Sequence, residues 1–319
     1  MKVQKSNINA ILYALITFVM SLLLAPLFIN GDQVSYHAFY NNCFDLVSLS
    51  QEFKCYNSTL GTQEPIYFLV IKIFHTFFDK NFLMSIFNSI IVFLFVKIVY
   101  KFYIRTILIH LFFILFFLNY YVVVLFFSAE RLKLSVLFLL ISLLLIGLKS
   151  VFSKVLMILT HMQMIFIFFV DFIHGFFEKN NKKLWVKFVT VIGGSILLGI
   201  IYYYMRDHID RKVIGYSNRT AESDLGLISL LKSSIFVLLT YVSVQKNIVI
   251  LMQIPLLIGS YILGSGRMLI MSFFVYIACL IYFKGKVDFL GYIVLFYFAF
   301  KSIEFWQNVI KYGTGFLEV

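Results

Sequence analysis

Residues 8–29 read INAILYALITFVMSLLLAPLFI, and residues 30–65 read NGDQVSYHAFYNNCFDLVSLSQEFKCYNSTLGTQEP. The first stretch has membrane-span length, since about 20 helical residues cross roughly 30 Å of hydrocarbon. The second is a polar window, followed by almost unbroken hydrophobic sequence. It holds Asp32, Asp45, Glu52 and Glu64, four of the fifteen carboxylates, and Cys43 and Cys55, two of the three cysteines. A long polar insert in so apolar a chain is where chemistry meets water, and it reads as a catalytic loop.

Outward from that pair of stretches the apolar pattern continues. The chain is 61% hydrophobic and 13% charged, with 39 Phe and 20 Tyr. A soluble domain could not hide that much apolar surface. The expected class is all-α, a polytopic helical membrane protein with about nine full spans and two partial ones, one membrane domain over 1–319. Its external loops are expected at about 30–64 and 206–226. The basic start (Lys2, Lys5) and full-length apolar run read as a retained first helix with a cytoplasmic N-terminus, not a cleaved signal peptide.

Lysines orient the remaining segments. The run after Pro65 is short and interrupted at Asp79-Lys80-Asn81, so 65–79 reads as an interfacial or half-inserted helix. Spans follow at 82–100, 106–126 and 132–148. The segment 155–177 has basic flanks on both sides, and a broken or re-entrant helix accounts for that. Further spans are expected at 186–205, 227–244, 247–264, 267–283 and 288–306. The net charge of +12 lies largely in Lys of short loops, and no nucleic-acid module or basic groove accompanies it. Cys43 and Cys55 are placed to form a disulfide if their loop is outside the cytoplasm.

The arginines behave differently from the lysines. Arg131, Arg206, Arg211, Arg219 and Arg267 fall on the predicted outside; only Arg105 falls inside. A guanidinium fork suits phosphate and pyrophosphate, although loop carboxylates or lipid phosphates would also meet it. Asp32 and Tyr36 share a helix face, and Asp32 reads as an N-cap, a catalytic group, or both. Glu64 precedes Pro65 at a helix entrance, where it is a base, a group that holds sugar hydroxyls, or helix-start decoration. His161, beside Thr160 and Gln163, is an intramembrane ionisable residue. It reads as an interhelical hydrogen-bonder or as a functional group. No metal-ligand spacing and no phosphate-loop or dinucleotide signature is present, so no metal or cofactor is expected.

Taken in order, Asp32-x-x-x-Tyr36, Glu64-Pro65, Arg131-x-x-x-Ser135 after a Phe-rich span, Leu159-Thr160-His161 and a late Arg267 opening a span form a pattern. It resembles the EpsG-like family of bacterial membrane proteins, which includes Wzy-type O-antigen and capsule repeat-unit polymerases. Gly31, Leu132 and Ile66-Tyr67 depart from residues common at those places in the family. The resemblance implies a C-type membrane glycosyltransferase of the bacterial inner membrane with its site facing the periplasm or exterior. Donor and acceptor would be undecaprenyl-pyrophosphate-linked oligosaccharides, and flippase and chain-length regulator proteins would be partners. It implies Asp32, Glu64, His161 and Arg131 as catalytic residues, and Tyr36, Arg206, Arg267 and Arg211 as substrate-binding residues. A lipid-linked glycan flippase and an O-antigen ligase are the rival readings.

Overall fold

The computed structural model describes residues 2–44, 46–103, 108–178, 203, 206 and 225–316. Among these residues every regular element is helical. Five helices are long and apolar enough to cross a membrane: 6–27, 80–102, 227–244, 266–284 and 289–312. A bent pair, 108–117 with 120–127, makes a sixth if it is one span. The expected nine full spans are therefore not met among the described residues. Several apolar stretches are broken by caps, and 186–205 lies outside the description apart from Tyr203.

The chain divides into two compact units, residues 1–164 with 280–319 and residues 165–279. In the first, α1 (Lys2–Leu24) presents Ile11, Leu12, Leu15, Val19 and Leu23 to the surroundings, as a lipid-facing helix does. Its other face runs antiparallel to α5 (Lys80–Phe102). Asn9 Nδ2 donates to Tyr100 Oη at 2.7 Å near one end of the pair, and Asn88 Nδ2 donates to Ser21 Oγ at 3.0 Å towards the other. Polar groups at this depth need such partners, because hydrocarbon supplies none.

The polar window folds as a helical hairpin, α2 (Asp32–Asn42) and α3 (Leu49–Leu60), joined by a Cys43–Cys55 disulfide. Ser48 caps α3, accepting from the Gln51 amide, and Gly61 ends it in the left-handed region (φ 58). Phe39, Tyr56 and Phe68 pack as its aromatic core, with Phe39–Tyr56 centroids 5.0 Å apart and Tyr56–Phe68 centroids 5.6 Å apart. Glu52 pairs with Lys72, a structural use of that carboxylate. Helix α4 (Pro65–Phe74) begins at proline, whose missing N–H costs nothing in a first turn. Its 10 residues cover about 15 Å, too short to span, in line with the interfacial reading.

Helices α6 (Leu108–Phe117) and α7 (Tyr120–Phe127) replace the single span expected over 106–126. They bend by 51° where Asn119 caps α7, its side chain accepting from the Tyr121 amide at 2.9 Å. Helix α8 (Glu130–Leu144) turns at Gly147 (φ 66) into α9 (Leu148–Thr160), and Ser153 donates to the Phe138 carbonyl across the pair. His161 is extended (φ −153, ψ 109) and breaks the helix before α10 (Ile165–Glu178). The expected break in 155–177 is thus present, at the histidine itself.

In the second unit α10 is joined by α11 (Leu225–Val244), α12 (Ile248–Leu263) and α13 (Ser265–Cys279). Gln253 Nε2 donates to Thr240 Oγ1 at 3.2 Å between α11 and α12. Gly259 lets three helices close up: a Cβ there would stand 2.8 Å from Met268 Sδ and 3.2 Å from the Phe166 ring.

A π-helical turn (Leu280–Lys284) returns the chain to the first unit, where α14 (Phe289–Tyr312) completes the bundle. One end of α14 meets the far end of α5 through Tyr292 and Tyr103 hydroxyls 3.2 Å apart. At its other end, the Ile29 and Asn30 amides donate to the Gly313 carbonyl at 3.0 and 2.9 Å. The bundle therefore has two distinguishable ends. Lys101 and Lys284 lie towards one, and the polar window caps the other.

Candidate functional site

Glu64 sits between the glycine stop of α3 and the proline start of α4. As the residue before proline it is held extended (φ −72, ψ 106). That geometry turns its side chain away from the amides of α4, with which it makes no cap bond. Decoration of a helix start is therefore not its role. The side chain is fully buried and collects three donors. Arg131 Nη1 donates to Oε2 at 2.7 Å, while His161 Nδ1 at 2.9 Å and the Met162 amide at 3.2 Å donate to Oε1. Three donors match an ionised carboxylate, which only accepts.

Each donor is placed by a local feature. Arg131 lies in the first turn of α8, just after the α7–α8 break, and its Nε donates to Tyr36 Oη at 3.3 Å. His161 and Met162 are free to turn towards Glu64 because the helix is interrupted there. Tyr56 Oη donates to the Glu64 backbone carbonyl at 3.1 Å. Burial first, then the Glu64 charge, pushes the Tyr56 phenol well above its ordinary value, so it stays a donor. With Nδ1 donating to Glu64, the neutral His161 ring keeps its acceptor lone pair on Nε2. That atom lies 3.2 Å from Gln163 Oε1, so the neutral ring accepts there only with the Gln163 amide turned to present its NH2 group. A carboxylate that fixes a ring tautomer and leaves Nε2 as proton acceptor is a general-base arrangement.

Next to this group lies a second buried set. Glu130 Oε2 accepts from Tyr67 Oη at 3.0 Å, and Oε1 pairs with Lys80 Nζ at 3.2 Å. Lys80 also donates to Gln33 Oε1, and Gln33 Nε2 donates to the Phe127 carbonyl at 3.0 Å. Lys133, one turn along α8, is 1% exposed. The Tyr36 and Tyr67 rings, 6.1 Å apart and edge-on, join the two sets.

Of the sequence candidates, Glu64, Arg131, His161 and Tyr36 come together. Asp32 is exposed in the first turn of α2, and the cap position is taken by Gly31 (φ 65), so the N-cap reading is corrected. Arg206 is exposed and Arg267 half-buried, both in the second unit; Arg211 and Arg219 lie outside the described residues. Arg131 meets a carboxylate of the polar window, Glu64, which is the alternative to phosphate that the sequence offered for the arginines. Sequence reading missed Glu130, Lys80, Lys133 and Tyr67 as site residues. A usable signal existed for Lys133, a charge inside an apolar run, where a charge is costly unless it has a use.

Compared with family models, curated proteins and solved structures, the chain matches none.

Proposed function

We propose that this chain is a membrane glycosyltransferase that polymerises polyprenyl-pyrophosphate-linked oligosaccharide repeat units into O-antigen or capsular polysaccharide. One observation carries the reading. Residues 64, 131 and 161 were picked out separately as points of family resemblance, and they meet in one buried contact set. A chain related to C-type membrane glycosyltransferases would place such a set at its outer face. The lysines Lys97, Lys101, Lys284 and Lys286, towards the opposite end of the bundle, fit a cytoplasmic side there.

In the proposed reaction the acceptor sugar hydroxyl attacks the anomeric carbon of the donor. The new C–O bond forms as the bond from that carbon to the pyrophosphate oxygen breaks. The hydroxyl proton passes to His161 Nε2, which Gln163 uncovers by rotating, and Glu64 stabilises the imidazolium that results. Pyrophosphate leaves with the bond electrons and stays on the lipid. Arg131 is a positioning residue, holding Glu64 and Tyr36.

The test is complementation of a polymerase-null strain with Glu64→Gln, His161→Ala and Arg131→Lys, each checked for membrane insertion. The expected outcome is a single capped repeat in place of the polysaccharide ladder. A full ladder from both Glu64→Gln and His161→Ala would overturn the proposal. Loss of every surface repeat would favour the flippase or ligase readings.

A further inference from the structure

We propose that Glu130 and Tyr67 are positioning residues: they fix the short helix α4 against α8, and so hold Glu64 on His161 Nδ1. What this does for catalysis rests on the polymerase reading; the positioning itself does not. Helix α4 alone does little to place Glu64. That residue stands just outside its first turn and makes no side-chain cap bond to its amides. The carboxylate is therefore only as well placed as α4 is.

Two rungs join the start of α4 to the start of α8. Arg131 Nη1 donates to Glu64 Oε2 at 2.7 Å, and Tyr67 Oη, one turn further along α4, donates to Glu130 Oε2 at 3.0 Å. Glu130 and Arg131 are neighbours in sequence, and their rungs run in opposite senses, α8 donating in one and accepting in the other. A slide of α4 that put Glu64 in the place of Tyr67 would set two carboxylates together, and like charges disfavour each other. One register is favoured as a result. A third helix anchors the second rung. Lys80, the first residue of α5, meets Glu130 Oε1 at 3.2 Å and donates to Gln33 Oε1 of α2. Both oxygens of Glu130 are thus used, one for α4 and one for α5.

Tyr67, Glu130 and Lys80 are all buried. Stability does not ask for such a set, since well-packed apolar side chains of similar volume serve as well or better. Fixing a register is the best-attested use of buried charge. Here the register it fixes is the one that brings Glu64 to within 2.9 Å of His161 Nδ1.

The experiment is solid-state NMR of the full chain in lipid bilayers, with isotope-labelled histidine nitrogens. The His161 signals are identified by their loss in His161→Asn. In the wild type, Nδ1 carries its proton, held by Glu64. Tyr67→Phe keeps the ring and removes the rung; Glu130→Leu removes the acceptor. In both, Glu64 should leave Nδ1, the proton is free to sit on either ring nitrogen, and signals of a bare Nδ1 should appear. Glu130→Gln combined with Lys80→Met keeps an acceptor for Tyr67 and leaves no unpaired ammonium, so it should retain the wild-type signals. Gly313→Ala is the control for general loosening: its Cβ would press on Ile29, and His161 should not respond.

Unchanged His161 signals in both Tyr67→Phe and Glu130→Leu would overturn the proposal. So would an equal change in Gly313→Ala, or a bare Nδ1 in the double variant. If Glu130→Leu does not insert, Tyr67→Phe and the double variant decide the matter. A wild-type chain that makes no polymer would remove the polymerase reading and leave the NMR result standing.

Discussion

Replacing Glu64 by Leu removes the acceptor shared by Arg131, His161 and the Met162 amide, all within 3.2 Å, with Arg131 and His161 buried and Met162 half-buried. The guanidinium is then left uncompensated in low dielectric, a loss of about 3–5 kcal/mol when one partner of a buried pair is removed. For a chain of this length that corresponds to roughly 4–7 °C in apparent Tm. Arg131→Met should cost about the same, by taking from Glu64 the guanidinium at 2.7 Å. The double variant should cost well under the sum, because neither orphan charge remains, and the coupling should be about 2 kcal/mol or more. The measurement is thermal melting of all four proteins in one detergent. Additive losses, with coupling below about 0.5 kcal/mol, would refute the pairing and with it the geometry of the site.

Three further outcomes follow from the same structure. Tyr67→Phe removes the phenol donor to Glu130 and should cost about 1.5–3 kcal/mol in a melt, as for a hydrogen bond to a charged group. Breaking the Cys43–Cys55 link with a double serine substitution opens a loop of sequence separation 12. It should cost about 2–4 kcal/mol and expose the 43–60 hairpin to limited proteolysis. Gly313→Ala adds a Cβ 2.5 Å from Ile29 Cγ1 at φ 68, and should lower stability by about 1–3 kcal/mol. Gly61→Ala, with open space around its Cβ, should cost less.

Much of this was legible before any coordinates. The apolar run after Lys5, the proline that opens α4 and the interruption near residues 160–163 follow from hydrophobic length and backbone chemistry, which are local. Glu64, Arg131 and His161 could be named as candidates because each is a polar residue at a helix end or inside apolar sequence. Their mutual pairing was not legible, since the three contacts span up to 98 residues and no local rule pairs them. Among the described residues the span count falls short for a related reason. Asn119 caps α7 and splits an apolar run that hydropathy reads as continuous. Lys133 was passed over because its neighbours Leu132 and Leu134 make the run look like ordinary span.

The hydrogen bonds from Ile29 and Asn30 to Gly313 have a consequence for the order of assembly. The first unit is interrupted in sequence by the whole of 165–279. The amides of the α1–α2 connection acquire their partner only after that second unit has been synthesised. At about 5–20 residues per second, Gly313 emerges roughly 15–60 s behind Asn30. Until then the α14 edge of the bundle is unfilled, and Phe28 and Phe127, which stack at 5.0 Å, lack the Trp306 ring that covers them. That seam stays open through the synthesis of the second unit, and α14, made long after α1, is the helix that covers it.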